Sequence, residues 1–134
     1  MEFFREYPIS IPFVAILAAE IAKAMVDLFR QRHKIRFINT GGMPSGHSSF
    51  VSALVVVVAY REGLQSTAFM TSAVVALVVM YDAINVRNEA GQHAYWLNKL
   101  MPKAKLEESL GHTHIEVIVG ALFGATVAFI LLTV

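Results

Sequence analysis

Two of the five histidines in this chain lie in settings that suit catalysis. His112 precedes Glu116 by four residues, and this spacing places both on one face of a helix. A carboxylate one turn from an imidazole can fix the tautomer of the ring and raise its basicity. His47 supplies a second imidazole within the segment 40–49. The alternative for His112 is a structural histidine whose hydrogen bonds are satisfied at a helix interface.

The segment 40–49, with the sequence TGGMPSGHSS, predicts an anion-binding helix start. Its glycines free the backbone to curl, and Pro44 suits the first turn of a helix, so the first N–H groups would point into the loop. Clusters of serine and glycine are usually only turns, but P-S-G-H followed by serine is a more specific signal. The side chains and backbone expected to contribute here are those of Ser45, Gly46, His47, Ser48 and Ser49.

Charged residues also interrupt an apolar stretch near the start of the chain. Glu20, Lys23, Asp27 and Arg30 follow one another in steps of three, four and three, which puts them on one helical face with alternating sign. An ionisable group at membrane depth costs about 2.5–3.5 kcal/mol even on a lenient scale, so each one is a candidate functional residue. The alternative is a self-neutralising stripe that holds helices together.

The interval of four residues between His112 and Glu116 continues to Gly120 and Gly124. Two glycines four residues apart form a surface that a neighbouring helix can approach closely. We therefore expect the last helix to pack tightly, with His112 and Glu116 at the end of the packed face.

The elements that must position these residues are helices in a membrane. The chain has 134 residues, of which 56% are hydrophobic and 16% charged, whereas a soluble domain usually has about 25% charged residues. The absence of cysteine excludes disulfide scaffolds, zinc–thiolate sites and cysteine nucleophiles, and a net charge of +1 does not favour binding to nucleic acid.

The predicted fold is an all-α integral membrane protein, a single transmembrane domain over residues 1–134. It has about four transmembrane helices plus one amphipathic interfacial helix. A span needs about 20 mostly apolar residues. The stretches that meet or approach this length are 9–29, 44–60, 64–84 and 115–134, and the interfacial helix is expected over 87–100.

Basic residues predict the orientation. The two long loops carry eight of them and the opposite side carries two, which by the positive-inside rule puts the long loops in the cytoplasm. The protein is expected to be integral to the cell (inner) membrane. Both termini are then expected on the far side. The residues expected to gather at the cytoplasmic end are Lys23, Asp27, Arg30, Ser45, His47, Asp82, Arg87, His112 and Glu116. These groups are the ones that phosphoryl transfer requires: one imidazole as nucleophile, a second as acid to the leaving oxygen, and cations with a helix start to bind the phosphate oxygens.

At these residues the sequence resembles the divergent membrane branch of the type-2 phosphatidic acid phosphatase and vanadium haloperoxidase superfamily. The resemblance covers nearly the whole chain in order. It rests on TGGMPSGHS at 40–48, on Y-D-A at 81–83 with Val86-Arg87 and Ala90-Gly91, on L-N-K at 97–99, and on L-G-H-T at 110–113 with Glu116-Val117 and Gly120.

The resemblance implies that His47 protonates the leaving group, that His112 is the nucleophile, and that Glu116 replaces the aspartate that orients it. Lys23 and Arg30 have the spacing of the first motif, with Gln31 in place of its proline. The arginine of the third motif is replaced by Leu106, and Arg87 or Lys105 could take its place.

These expectations lead first to a metal-independent membrane phosphatase acting on a lipid or isoprenoid phosphate at the cytoplasmic leaflet, with no cofactor. Under this hypothesis the phosphate is bound by Lys23, Arg30, Ser45, Gly46, Ser48 and Arg87. The polar pocket is completed by Asp27 and Asp82. A second hypothesis is a non-catalytic binder or transporter of a phosphorylated lipid that uses the same pocket. A metal site at His47, His112, His114 and Glu116, or a purely structural subunit, is a weaker alternative. A homodimer is a reasonable expectation because four short helices enclose a polar pocket poorly.

Overall fold

A computed structural model describes residues 2–29 and 42–134, and within those ranges the protein is helical without strands. Arg30 and the segment 40–41, which belong to the predicted site, lie outside the described residues. The helices are α1 (Glu2–Glu6), α2 (Ser10–Phe29), α3 (Gly46–Glu62), α4 (Thr67–Ile84), α5 (Val86–Leu100) and α6 (His114–Thr133).

Three of the longer helices begin at a hydroxyl cap. Ser45 precedes α3, Ser66 precedes α4 and Thr113 precedes α6, and each side-chain oxygen accepts a hydrogen bond from a backbone N–H of the first turn. Two boundaries therefore differ from expectation. Pro44 lies before the cap of α3 instead of in its first turn, and α4 starts at Thr67, three residues after the apolar run begins.

Helix α3 is the centre of the bundle and packs against α2, α4 and α6. Its contact with α6 is the closest, because Gly120 and Gly124 lie directly against the backbone of Ser45 and Ser49. The Ser49 hydroxyl donates to the Gly120 carbonyl oxygen at 2.8 Å, and the Ser45 N–H donates to the Glu116 carbonyl oxygen at 3.2 Å. The expected glycine surface on the last helix is therefore present, and it faces the start of α3.

Helix α2 is polar towards the bundle and apolar towards the outside. Lys23 and Asp27 are 2% and 4% exposed and share the inner face with small residues. The outer face carries a stripe of large apolar side chains, namely Phe13, Leu17, Ile21 and Met25, each more than half exposed. This is the reverse of a helix in a water-soluble protein, and it suits a helix surrounded by lipid.

Among the residues that the structure describes, two stretches of helix are long and apolar enough to cross a membrane by length and composition, namely α4 with its continuation into α5, and α6. Helix α2 carries three charged residues and α3 has 17 residues, so neither adds to that pair. An all-helical membrane protein is the architecture that these features support.

Candidate active site

His112 and Glu116 form a pair at the start of α6. The Nδ1 atom of His112 lies 3.3 Å from Oε2 of Glu116, and the histidine side chain is 6% exposed. The spacing of four residues between His112 and Glu116 predicted that both lie on the helix, but His112 lies outside it. Thr113 caps α6, and the histidine lies one residue before the cap.

The carboxylate of Glu116 has a second partner that holds it in place. Its Oε2 atom accepts the backbone N–H of Thr113 at 3.0 Å, while the Thr113 hydroxyl accepts the N–H of Glu116 at 3.3 Å. This reciprocal arrangement is a capping box. Glu116 therefore orients the imidazole from a fixed position, and Nε2 is the ring nitrogen left for chemistry.

Burial lowers the pKa of the His112 imidazole below its usual value. The Glu116 carboxylate opposes this by charge and hydrogen bonding, while the charges of Lys23 and Arg87 lower the pKa further. Because the net direction is downward, the ring is neutral at pH 7, which is the form that can attack phosphorus or accept a proton.

The loop that carries His112 is fixed to the ends of α4 and α5. The His112 N–H donates to the Ala83 carbonyl oxygen at 2.9 Å. Gly111 adopts a φ of +86° and lies against the backbone of Asn88, where a Cβ atom would come within 2.6 Å of the Asn88 nitrogen. Only glycine combines that conformation with that closeness.

Further along α5, Asn98 clamps the same loop. Its side-chain amide donates to the Leu106 carbonyl oxygen and accepts the Leu106 N–H, both at 2.8 Å, and it also donates to Glu108 at 2.7 Å. The backbone of Glu108 then passes Gly91 so closely that a Cβ there would lie 2.6 Å from the Glu108 carbonyl oxygen. No role for Asn98, Gly91 or Gly111 was evident from the sequence, although each lies in a segment that carries the resemblance.

His47 is the second residue of α3 and is half-buried. The charges that act on it are those of Arg87, Glu20 and Lys23, and of His112 when that ring is protonated. The two predicted catalytic histidines are therefore within electrostatic reach of each other and of the same two cations.

The hydroxyl groups expected to bind an anion are used inside the protein. Ser45 and Ser48 are fully buried, and the Ser48 hydroxyl donates to the Ser45 oxygen at 3.0 Å, while that oxygen also caps the helix. At the same helix start, the backbone of Gly46 lies beside the carboxylate of Glu20, since a Cβ atom on Gly46 would be 2.5 Å from Oε1.

Lys23 is the buried cation of the site. Its Nζ atom lies 2.6 Å from Oε2 of Glu20 as an ionic contact without the alignment of a hydrogen bond. Asp27, one turn further along the same face, is also buried. A lysine that is 2% exposed among helices is costly unless it is paired, and the contact with Glu20 supplies an ion-pair partner.

Arg87 is one of the two residues expected to replace the arginine missing from the third motif. It acts on both histidines, and its Nε atom lies 3.3 Å from Oδ2 of Asp82 in a half-exposed ion pair. Lys105, the other candidate, lies with Leu106 on the exposed loop that Asn98 clamps.

A polar cavity of about 480 Å³ opens beside His112. Its walls come from the end of α4, the first turn of α5, the loop before α6 and the first turn of α6, and include Ile84, Asn88, Glu108, His114 and Glu116. Within residues 2–29 and 42–134, no three histidine, aspartate or glutamate side chains are grouped to hold a metal ion.

Comparison with known proteins identifies a family and a relative of this chain. The sequence model of the family described as "Divergent PAP2 family" matches residues 4–127. A protein of Bacillus subtilis (strain 168), "Uncharacterized membrane protein YuiD", is 36% identical over an alignment that covers 98% of this chain and 97% of the relative. No solved structure matches the chain.

Proposed function

Because the chain belongs to the divergent PAP2 family, we propose that it is a membrane phosphatase acting on a lipid or isoprenoid phosphate at the cytoplasmic leaflet. The observation that carries this proposal is the pairing of a buried, neutral His112 with Glu116 beside a polar cavity, within reach of two cations.

In the proposed reaction, Nε2 of His112 attacks phosphorus and the bond between phosphorus and the leaving oxygen breaks. His47 gives its proton to that oxygen, and Glu116 stabilises the positive charge that develops on His112. Water then attacks the phosphohistidine, His47 takes the proton from the water, and inorganic phosphate leaves with His112 restored.

The phosphate oxygens would be held by cations and backbone N–H groups. Lys23 and Arg87 supply the charge, with Arg30 as a further candidate from the sequence, and the N–H groups of Gly46 and His47 lie in the first turn of α3. Ser45 and Ser48 then shape the helix start instead of contacting the ligand through their hydroxyl groups.

The proposed setting is the inner membrane, with α2, α3, α4 and α6 as four spans, α5 at the cytoplasmic interface and the polar site facing the cytoplasm. The eight basic residues of the two long loops support this orientation. A homodimer is part of the proposal, since four short helices enclose a polar pocket poorly.

The test is phosphate release by the full chain, purified in detergent, from phosphatidate and from an isoprenyl phosphate. We expect His112→Ala to abolish release and His47→Ala to lower kcat by about 10²–10⁴-fold, the usual contribution of a general acid. His93→Ala is the matched control, because His93 lies exposed on α5. Equal rates for wild type and His112→Ala would refute the mechanism, and acid quenching of labelled substrate should trap phosphohistidine only when His112 is present.

A non-catalytic phosphate binder is the second candidate, and one feature favours it. Leu106 stands at the position of the third-motif arginine, and the structure places it on the exposed loop, so the site has fewer cations than the motif implies. Saturable vanadate binding that is lost in Lys23→Met, without turnover of either phosphate ester, would support the binder over the phosphatase.

A further inference from the structure

An apolar groove of about 420 Å³ lies over α3, between α4 and α6. Val55 and Val56 form its floor, and Ala73, Leu77 and Ala125 belong to its walls. Ser52 also borders it, but the Ser52 hydroxyl donates to the Ser49 carbonyl oxygen of its own helix at 3.2 Å. The groove therefore has the size of a ligand site and presents hydrocarbon to its occupant.

The groove and the polar cavity beside His112 share the same faces of two helices. On α4, Ala73 of the groove and Ile84 of the polar cavity are 11 residues apart, and on α6 the same interval separates Ala125 from His114. Eleven residues make about three helical turns, so both pairs return to one face. At about 1.5 Å per residue, the interval spans about 16 Å along each helix.

The walls of the groove are the two helices most clearly suited to cross a bilayer. Both α4 and α6 meet the length and composition of a membrane span, and they contact each other far less than each contacts α3. The gap between them therefore faces lipid, and an occupant can enter it sideways from the membrane without crossing water.

We propose that this groove holds the hydrocarbon chain of a membrane phosphate monoester whose head lies at His112. The assignment rests on the proposed function for the identity of the head and on the groove for the chain. Charge supports it, because the charges of Arg87 and Lys23 act on His112, while the groove is lined by apolar side chains apart from Ser52. Since lipid tails are as apolar as the groove, the groove adds little affinity, and its role is to align the ester bond with His112.

The experiment locates the chain directly. The full-length protein in phosphatidylcholine nanodiscs is irradiated with an alkyl phosphate that carries a diazirine midway along its chain, and labelled residues are identified by mass spectrometry. We expect labels on Leu77, Met80 and Leu122 that excess phosphatidate removes. The control probe has the same diazirine chain with a hydroxyl group in place of the phosphate. We expect it to label the protein only non-specifically, so that excess phosphatidate does not reduce its labelling.

Two variants fill the groove from opposite walls, Ala73→Leu and Ala125→Leu, and both should lose the labelling that phosphatidate removes. Ala68→Leu is the matched control, because Ala68 is an exposed residue of α4 outside the groove. Helix content and elution as a single species verify folding, and either wall variant alone suffices if the other misfolds.

The outcomes separate this inference from the proposed activity. If excess phosphatidate removes labelling in the groove but the protein releases no phosphate, the groove holds the hydrocarbon chain and the proposed phosphatase activity is contradicted. Phosphate release with labels spread evenly over α4, α6 and the outer stripe of α2 overturns the chain site and leaves the phosphatase standing. Competed labelling that persists unchanged in both wall variants also overturns it.

Discussion

Replacing Gly120 by alanine tests the contact on which the site is built. A Cβ atom at this position would lie 2.5 Å from the Ser45 carbonyl oxygen and 2.9 Å from the Ser45 nitrogen, and both are backbone atoms that cannot rotate away. An ordinary carbon–oxygen contact is about 3.3–3.6 Å, so α6 must retreat from α3 by roughly 1 Å.

The retreat of α6 weakens two hydrogen bonds, which lowers the free energy of unfolding, while the better helix propensity of alanine raises it. The bonds from the Ser49 hydroxyl to Gly120 and from the Ser45 N–H to Glu116 would stretch beyond hydrogen-bond length, at about 0.5–1.5 kcal/mol each. Overpacking adds about 1–3 kcal/mol. Alanine recovers about 0.8–1 kcal/mol by its better helix propensity, so the variant should lose about 1–5 kcal/mol of unfolding free energy.

The assay is equilibrium unfolding of the purified protein in mixed micelles of mild detergent and SDS, followed by circular dichroism. Ala121→Leu is the control, because it enlarges the neighbouring residue of the same helix where the apolar groove has room. If Gly120→Ala is as stable as the wild type, or more stable by the propensity gain alone, then α3 and α6 do not meet at Gly120 and the derived position of Glu116 is wrong.

Three further predictions concern the imidazole, the loop and the orientation. Glu116→Gln removes the negative charge that raises the pKa of His112, so the acid limb of the kcat/KM profile should move to lower pH while the rate falls. Asn98→Ala removes all three hydrogen bonds to the loop, so trypsin should cut after Lys103 faster than in the wild type. In cells, an impermeant maleimide should label Gln65→Cys from outside and Lys103→Cys only after permeabilisation.

Each of these has a control in the chain. An acid limb that moves upward in Glu116→Gln would contradict the assigned charge interaction. Asn85→Ala should leave tryptic cleavage unchanged, since the Asn85 side chain donates only within its own helix, to Tyr81, and a matching acceleration there would argue against the clamp. The wild type contains no cysteine, so labelling has no background, and the reverse pattern would invert the topology.

Helical periodicity predicted which residues of α2 and α6 face the bundle, because residues three or four apart share one face of a regular helix. The spacing of Glu20, Lys23 and Asp27 indicated one face, and the structure turns that face into the bundle. The spacing of Gly120 and Gly124 likewise indicated a close helix contact, although the partner surface at Ser45 and Ser49 was not evident from the sequence.

Predictions from residue types were less accurate where one side chain has several possible hydrogen-bond partners. The serine cluster suggested ligand donors, but the first demand on Ser45 is to cap α3, and Ser48 then pairs with that cap. His112 was placed on a helix that in fact starts after it, since Thr113 is the better cap. The role of Asn98 depends on a loop folding back over α5, which no local pattern encodes.

The pairing of charges at the site bears on the choice between enzyme and carrier. Lys23 lies against Glu20 and Arg87 against Asp82, while Glu116 is engaged by its capping box. The buried charge of Lys23 is thus compensated, and the half-exposed Arg87 is already paired, before any ligand arrives. An incoming phosphate must compete with Glu20 and Asp82 for these two cations, which weakens the binding of substrate and of product phosphate alike. Weak binding in the ground state opposes a carrier but suits an enzyme, which gains rate only from interactions that strengthen in the transition state. The paired cations therefore favour the phosphatase over the binder.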